Sequence, residues 1–209
     1  MVGDAIDSVI MQCYRPLQIV VVDDGSKDNP MPAIESRFND DVPIYTIQNE
    51  SPSGPSKARN IAIEQMWEKT DLFMMLDADD LYLKEKVKKS VNKFMESPET
   101  IGIVYTDAII KNIHTGTQIH ELRMPYSRES LESECIISNT PLISKQAIMN
   151  AGGYDEGMRT CEDWDLWLRI ASQNYIYGNE VVSSIIIDHN QRKNLIEKKL
   201  NDISSKKNI

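Results

Sequence analysis

The chain contains two continuous apolar runs that each end in a group of aspartates. Ile19–Val22 leads directly into Asp23-Asp24-Gly25, and Leu72–Leu76 leads into Asp77-Ala78-Asp79-Asp80. Short runs that are apolar at every position are typical of strands buried on both faces of a parallel sheet. Helical patterns lie before, between and after them, as in the crossover units of an α/β fold. Because ligands bind where parallel strands end, both aspartate groups are predicted to border one cleft.

The remaining pattern fills in this α/β order. Hydrophobic periodicity and turn residues predict helices over residues 4–13, 30–38, 57–69, 83–95, 145–151 and 162–172. They predict further strands over residues 42–47, 101–105 and 181–187. Residues 107–138 are loosely patterned, with a hairpin turn expected at Gly116.

Length, charge and cysteine content limit the class of protein. At 209 residues with 41% hydrophobic content, the chain can bury one sizeable core. Its formal charge of −9 works against a nucleic-acid backbone as partner, so no nucleic acid is expected. Cys13, Cys135 and Cys161 lack metal-ligand spacing and fit a reducing compartment. No apolar run suits a membrane span, and Asp4 and Asp7 do not fit a signal peptide, so a cytoplasmic location is expected.

The last residues form a basic segment. Residues 191–209 hold six Lys or Arg and two Asp or Glu, and we interpret them as a tail after a domain of residues 1–190. Apolar residues such as Leu195 and Ile196 accompany the lysines, so peripheral contact with the inner face of a membrane stays open beside a simply solvated tail. Homo-oligomerisation is also left open.

The aspartates after the second apolar run are candidate metal ligands. Asp77, Asp79 and Asp80 are crowded at one strand end, where a cation such as Mg²⁺ or Mn²⁺ would neutralise them and accompany a diphosphate. Alternatively, Asp79 and Asp80 cap the next helix. A phosphatase with Asp77 as nucleophile and Asp79 as acid is a further hypothesis, although Leu81 stands where such enzymes place Thr or Val.

Two other segments could take part in the same site. Asp23-Asp24-Gly25-Ser26 is either a site loop or a simple turn, since turns require the same residue types. Gly54–Asn60 combines a glycine loop, a helix N-terminus and the cations Lys57 and Arg59. It is predicted either to hold a diphosphate or to be an ordinary solvated first turn.

These motifs together resemble the family 2 glycosyltransferases of the GT-A fold. The resemblance covers residues 4–190 and depends on five segments in order. They are Ala5–Val9 with Gln12 and Tyr14, Ile19–Asp28, Gly54 with Ala58–Asn60, Leu76–Asp80, and Gly152–Glu156 followed by Cys161–Arg169. The family implies a three-layer α/β sandwich with a mainly parallel central sheet. It also implies an inverting enzyme that uses a nucleotide-sugar, with UDP-sugar the expected donor and Mn²⁺ or Mg²⁺ as cofactor.

The resemblance also assigns roles to residues on the nucleotide side. The residues matching Asp23, Asp24 and Asp77 contact the base and ribose, and Asp79 is the expected metal ligand. His189, just after the last predicted strand, matches a family His near the metal. Lys57 and Arg59 are expected to contact the diphosphate.

On the acceptor side, Asp163 matches the general base of the family. An acceptor hydroxyl is a poor nucleophile at neutral pH, and a carboxylate that takes its proton contributes about 10² to 10⁴ in rate. Glu162-Asp163 also suits the N-terminus of a helix for purely electrostatic reasons. Glu162 is placed on the acceptor side, and Trp164 is either core or a surface on which the acceptor stacks. The expected acceptor is a glycan or a lipid-linked molecule.

The sequence departs from the family at its start. Similar enzymes have an apolar strand before the helix that corresponds to residues 4–13, and that strand lies in the middle of the sheet. We therefore expect either a truncated product or another segment or chain in this place. The alternative function is a catalytically impaired, glycosyltransferase-like binding module.

Overall fold

The computed structural model describes residues 1–96 and 101–173, together with the backbone of residues 176–188. The helices are α1 (Val2–Ile10), α2 (Met31–Glu35), α3 (Pro55–Met66), α4 (Lys86–Met95), α5 (Arg128–Ser133), α6 (Lys145–Ala151) and α7 (Glu162–Ala171). The strands are β1 (Ile19–Asp23), β2 (Ile44–Gln48), β3 (Leu72–Met74), β4 (Leu81–Tyr82), β5 (Ile103–Asn112), β6 (Gln118–Glu121), β7 (Leu142–Ser144) and β8 (Ile176–Asp188). Within this part of the chain, no helix is long and apolar enough to cross a bilayer.

The strands form two sheets. β1 and β2 pair in parallel from Ile19 opposite Ile44 to Asp23 opposite Gln48. The larger sheet has the order β3-β7-β5-β8-β4, with β6 beside β5. In it β5 and β8 run parallel, whereas β7, β4 and β6 run against their neighbours. The α/β architecture agrees with the prediction, but the strand directions are more mixed than in a mainly parallel sheet. One cause is the hairpin at Gly116, which returns β6 beside β5.

Two apolar clusters lie on opposite faces of these strands. Along β5, Ile103 and Tyr105 belong to one cluster and Val104 to the other, as the alternation of side chains in a strand requires. Helices α3, α6 and α7 cover the first cluster, in which Trp167 is fully buried. Helices α1 and α4 cover the second. The arrangement is therefore helix, sheet, helix, which is the predicted three-layer sandwich.

The strand β1 is less buried than its sequence predicts. All five of its residues are only partly buried, whereas residues 103–108 of β5 are buried. Among the described strands, β1 pairs with β2 alone and β3 pairs with β7 alone. Alternate residues of β1 and β3 pack into the same two clusters. The two strands thus belong to one layer but are not hydrogen-bonded to each other, which explains the partial exposure of β1.

The ends of α6 show how local chemistry sets an element. The Ser144 hydroxyl accepts a hydrogen bond from the Ala147 N–H at 3.2 Å, which is a standard N-cap. At the other end Gly152 takes a left-handed conformation with φ of 80°, and its N–H donates to the Ile148 carbonyl at 3.0 Å. The predicted helix over 145–151 is therefore confirmed at both ends.

Candidate active site

The three aspartates after β3 lie together at the end of that strand. One carboxylate oxygen from each of Asp77, Asp79 and Asp80 lies within 4.8 Å of the others. A tight turn brings them together, because the Asp80 N–H donates to the Asp77 carbonyl at 3.0 Å. Asp80 is 2% exposed. The next helix, α4, begins only at Lys86 with Glu85 as its N-cap residue, so the alternative in which Asp79 and Asp80 cap a helix is wrong.

Both oxygens of Asp77 accept hydrogen bonds from other segments. Arg59 Nη2 donates to Oδ1 at 3.0 Å. Asn139 Nδ2 donates to Oδ2 at 2.9 Å and also to Asp80 Oδ2 at 3.1 Å. The position of the Asp77 carboxylate is therefore fixed by a cation on one side and a neutral amide on the other.

Arg59 connects the acidic cluster to the start of α7. Its guanidinium lies 2.8 Å from Glu162 Oε1 and 3.2 Å from Asp163 Oδ1. The second contact is an ion pair without hydrogen-bond geometry, since Oδ1 is buried and accepts no hydrogen bond among the described residues. The Arg59 side chain is 13% exposed and lies 5.4 Å from the centre of the Tyr154 ring. The mostly buried Arg59 thus brings Asp77, which follows β3, beside Glu162 and Asp163 at the start of α7.

Asp163 has the electrostatics of a carboxyl that titrates near neutrality. Burial raises its pKa, the Arg59 charge lowers it, and the charges of Glu162 and Asp77 raise it, with a result of about 6. A base is most useful when its pKa lies near the operating pH. Asp163 is ionised at neutral pH and still basic enough to accept a proton.

Asp24 anchors the loop that precedes α3. Its carboxylate accepts hydrogen bonds from Asn49 Nδ2 at 2.7 Å, from the Ser53 N–H and hydroxyl at 2.9 and 2.7 Å, and from the Gly54 N–H at 2.7 Å. Gly54 is the N-cap residue of α3, the helix that carries Arg59. Burial would raise the pKa of Asp24, but these donors lower it to about 2. The aspartate predicted to bind nucleotide therefore also positions the helix behind the site.

Replacing Asp24 by Asn is expected to destabilise the fold by about 2 kcal/mol at neutral pH, because an amide cannot accept from all of these donors. The native pKa lies below the unfolded value, so this stability is present above about pH 4 and is lost as the pH falls towards 2. Urea unfolding at neutral pH and at about pH 3 measures the difference. The control is Asp28→Asn, which is exposed in the loop after β1 that also contains Asp24. Equal unfolding midpoints for the two variants would contradict the prediction.

The other predicted site residues differ in their exposure and in their contacts. The Asp23 carboxylate accepts from the Ser26 N–H at 3.0 Å in the turn after β1. Lys57 is exposed on the first turn of α3. Trp164 Nε1 donates to the Leu131 carbonyl at 2.7 Å, and its ring packs against the core, so the indole ties α7 to α5. Its use as an acceptor surface stays a prediction. His189 lies outside the described residues, as does the proposed tail.

Sequence reasoning gave no role to two residues that organise the site. Asn139 directly follows the loosely patterned residues 107–138, and only the pairing of β7 with β3 reveals its position. Asn60 follows Arg59 on α3 and bonds the backbone of Tyr154 twice, through Nδ2 and Oδ1, both at 2.9 Å. Gly153 beside it has φ of 76°, and an added Cβ would lie 3.1 Å from Asn60 Oδ1. Asn60 therefore fixes the segment that leads into α7.

The donor set of the acidic cluster suits a hard divalent cation. Carboxylate oxygens are the ligands that Mg²⁺ and Mn²⁺ prefer, and the three aspartates supply them within bonding reach of one ion. The acidic cluster lies near Asp163, because Arg59 pairs with both Asp77 and Asp163. The site therefore places carboxylates that could hold a cation near a carboxylate that could accept a proton.

Known proteins resemble this chain in sequence and in fold. The family model described as Glycosyl transferase family 2 matches residues 1–150. The chain belongs to this family. An uncharacterized glycosyltransferase of Rickettsia typhi is 28% identical over 194 residues, which cover 89% of this chain and 56% of the relative. The chain thus spans a little over half the length of this relative.

Solved structures share the fold. TarS 1-349 of S. aureus, in complex with UDP-GlcNAc, aligns with a TM-score of 0.73 at 17% identity, over 90% of this chain and 55% of that one. The mannosyltransferase PcManGT of Pyrobaculum calidifontis, in complex with GDP-Man and Mn²⁺, aligns with a TM-score of 0.64 at 16% identity, over 92% and 54%. The GT-A fold predicted from the sequence is confirmed.

Proposed function

We propose that this chain is the catalytic domain of an inverting glycosyltransferase that moves a sugar from a UDP-sugar to an acceptor hydroxyl. The proposal depends on one observation, which is that Arg59 pairs both with Asp77 of the Asp77, Asp79 and Asp80 cluster and with Asp163. Membership of glycosyl transferase family 2 supports the reaction class. The nucleotide-sugars in the matched TarS and PcManGT structures support the donor class.

In the proposed reaction, Asp163 accepts the proton of the acceptor hydroxyl as its oxygen bonds to the anomeric carbon. The bond from that carbon to the diphosphate breaks on the opposite face, which inverts the configuration. Asp79 and Asp80 would hold Mn²⁺ or Mg²⁺, which neutralises charge on the departing diphosphate. Arg59 keeps the Asp163 carboxylate in place and lowers its pKa against the repulsion of Glu162 and Asp77. Only one base is needed, because the cation held by Asp79 and Asp80 would neutralise the charge on the leaving group.

The binding roles extend from these two centres. Asp23, Asp24 and Asp77 are proposed to face the nucleoside, with Lys57 and Arg59 on the diphosphate. Asp24 would act partly through the loop that it anchors. Glu162 and Trp164 are proposed for the acceptor side, where a glycan or lipid-linked hydroxyl is the expected substrate. We further propose a catalytic domain of residues 1–190 in the cytoplasm, with His189 as an additional metal ligand.

Calorimetry with UDP-GlcNAc and Mn²⁺ tests the donor site. We expect binding that requires Mn²⁺, with affinity at least about tenfold weaker in Asp79→Asn, because one charged ligand is lost. Asp40→Asn, an exposed carboxylate on the loop before β2, is the matched control. Absence of binding by the unmodified chain to a panel of UDP-sugars would instead support the impaired binding module.

A further inference from the structure

We propose that Asn139 is a positioning residue that holds the acidic cluster in the arrangement needed for a divalent cation and thereby sets its metal affinity. The inference depends on the metal site in the proposed function. It adds a residue that follows the loosely patterned residues 107–138 and is far from the aspartates in sequence.

A single amide nitrogen joins two carboxylates. Asn139 Nδ2 is 2.9 Å from Asp77 Oδ2 and 3.1 Å from Asp80 Oδ2. An amide nitrogen has two hydrogens, so each carboxylate receives one. The link fixes the separation of Asp77 and Asp80 without adding charge.

Strand register places Asn139 at this point. In the antiparallel pair, Met74 of β3 lies opposite Leu142 of β7. Continuing the same register beyond the strand ends brings Asp77 opposite Asn139. The backbone is held there, since the neighbours Ser138 and Thr140 are 1% and 0% exposed. The side chain of Asn139 therefore reaches the acidic cluster from a backbone that is held in place.

The neutrality of the amide distinguishes Asn139 from Arg59. Arg59 brings a positive charge to Asp77, which competes with a metal for the carboxylates. Asn139 gives the nearly buried Asp80 and the partly buried Asp77 a donor while leaving the negative charge of the cluster intact. Ligands oriented by such outer hydrogen bonds bind metals about 10 to 100 times more tightly than unsupported ones.

Mn²⁺ titration without nucleotide tests the proposal, by paramagnetic resonance of the free ion and by calorimetry. Asn139→Ala is expected to weaken Mn²⁺ binding about tenfold or more. Asn139→Asp adds a carboxylate against Asp77 and Asp80, so the metal-free protein should melt at lower temperature and gain more from Mn²⁺ than the wild type. Asn92→Ala, exposed on α4, is the control for amide loss.

The outcomes separate the two hypotheses. If Asn139→Ala melts earlier but binds Mn²⁺ as tightly as the wild type, Asn139 is only structural and the inference fails while the proposed function stands. If the wild type itself binds no Mn²⁺, the metal site fails and the inference fails with it. If Asn139→Ala does not fold, Asn139→Asp decides through the size of its Mn²⁺-dependent stabilisation.

Discussion

Replacing Asp163 by Asn is expected to lower kcat about 10² to 10⁴-fold, because the acceptor hydroxyl would lose the group proposed to take its proton. In the wild type, kcat/KM is expected to rise with pH up to about 6 and then level, following ionisation of Asp163. Asp163→Asn should lose this rise of kcat/KM with pH, which we call the acid limb, together with the rate. Initial rates of sugar transfer across a pH series measure both effects.

The same substitution is expected to stabilise the protein. The native pKa of Asp163, about 6, lies above its unfolded value. The folded state therefore binds more protons between about pH 4 and 6, and stability falls as the pH rises through this window. Asn does not titrate, so the free energy of unfolding of Asp163→Asn should exceed that of the wild type by up to about 3 kcal/mol at pH 8. This difference should vanish below about pH 4. Urea unfolding at both pH values measures it.

Asp71→Asn is the matched control, since Asp71 is exposed just before β3, at the other end of that strand. It should leave rate, pH profile and stability unchanged. An Asp163→Asn variant that keeps the wild-type acid limb would show that another group is the base. A variant less stable than the wild type at pH 8 would show that the environment of Asp163 favours its charged form.

Replacing Arg59 by Met should have the largest effect on stability. The guanidinium is 13% exposed and contacts Asp77, Glu162 and Asp163. Removing it leaves three neighbouring carboxylates without their shared cation, which costs about 3 to 5 kcal/mol. Because Arg59 lowers the pKa of Asp163, that pKa should also rise in the variant. The acid limb of kcat/KM then moves to higher pH.

Two further variants make the Arg59 test specific. Arg128→Met breaks the exposed pair between Arg128 and Glu132 and should cost no more than about 1 kcal/mol. Arg59→Lys restores the charge but not the forked geometry, so we expect partial recovery of stability and of the pH profile. Equal losses for Arg59→Met and Arg128→Met would contradict the role of Arg59 as the link between β3 and α7.

The sequence predicted the parts of the site that follow from strand ends. An apolar run that stops at Asp77-Ala78-Asp79-Asp80 places its carboxylates at the end of a strand, and the structure brings them together. Glu162-Asp163 was placed correctly because the N-terminus of a helix is readable from local composition. Strand ends and helix N-termini depend on residues that are close together in the chain, so a single sequence is enough to predict them.

Features set by long-range pairing were not predictable. The contact of Asn139 with Asp77 depends on the register of β7 against β3, which no local pattern encodes. The hydrogen bonds of Asp24 to Ser53 and Gly54 connect segments 29 and 30 residues apart, and the same Asp-Gly-Ser turn could have faced solvent. The partial exposure of β1 likewise reflects which strands lie beside it and not its own composition.

The way β7 meets β3 also limits how this site can be redesigned. Swapping the segment around Asn139 for one of another length would turn a different side chain towards Asp77, while the helices and the core stayed intact. Loop grafts aimed at a new donor should therefore keep the number of residues between Asn139 and Leu142 and between Met74 and Asp77. Met75 and Thr140, which lie between these residues, are buried and should be kept as well.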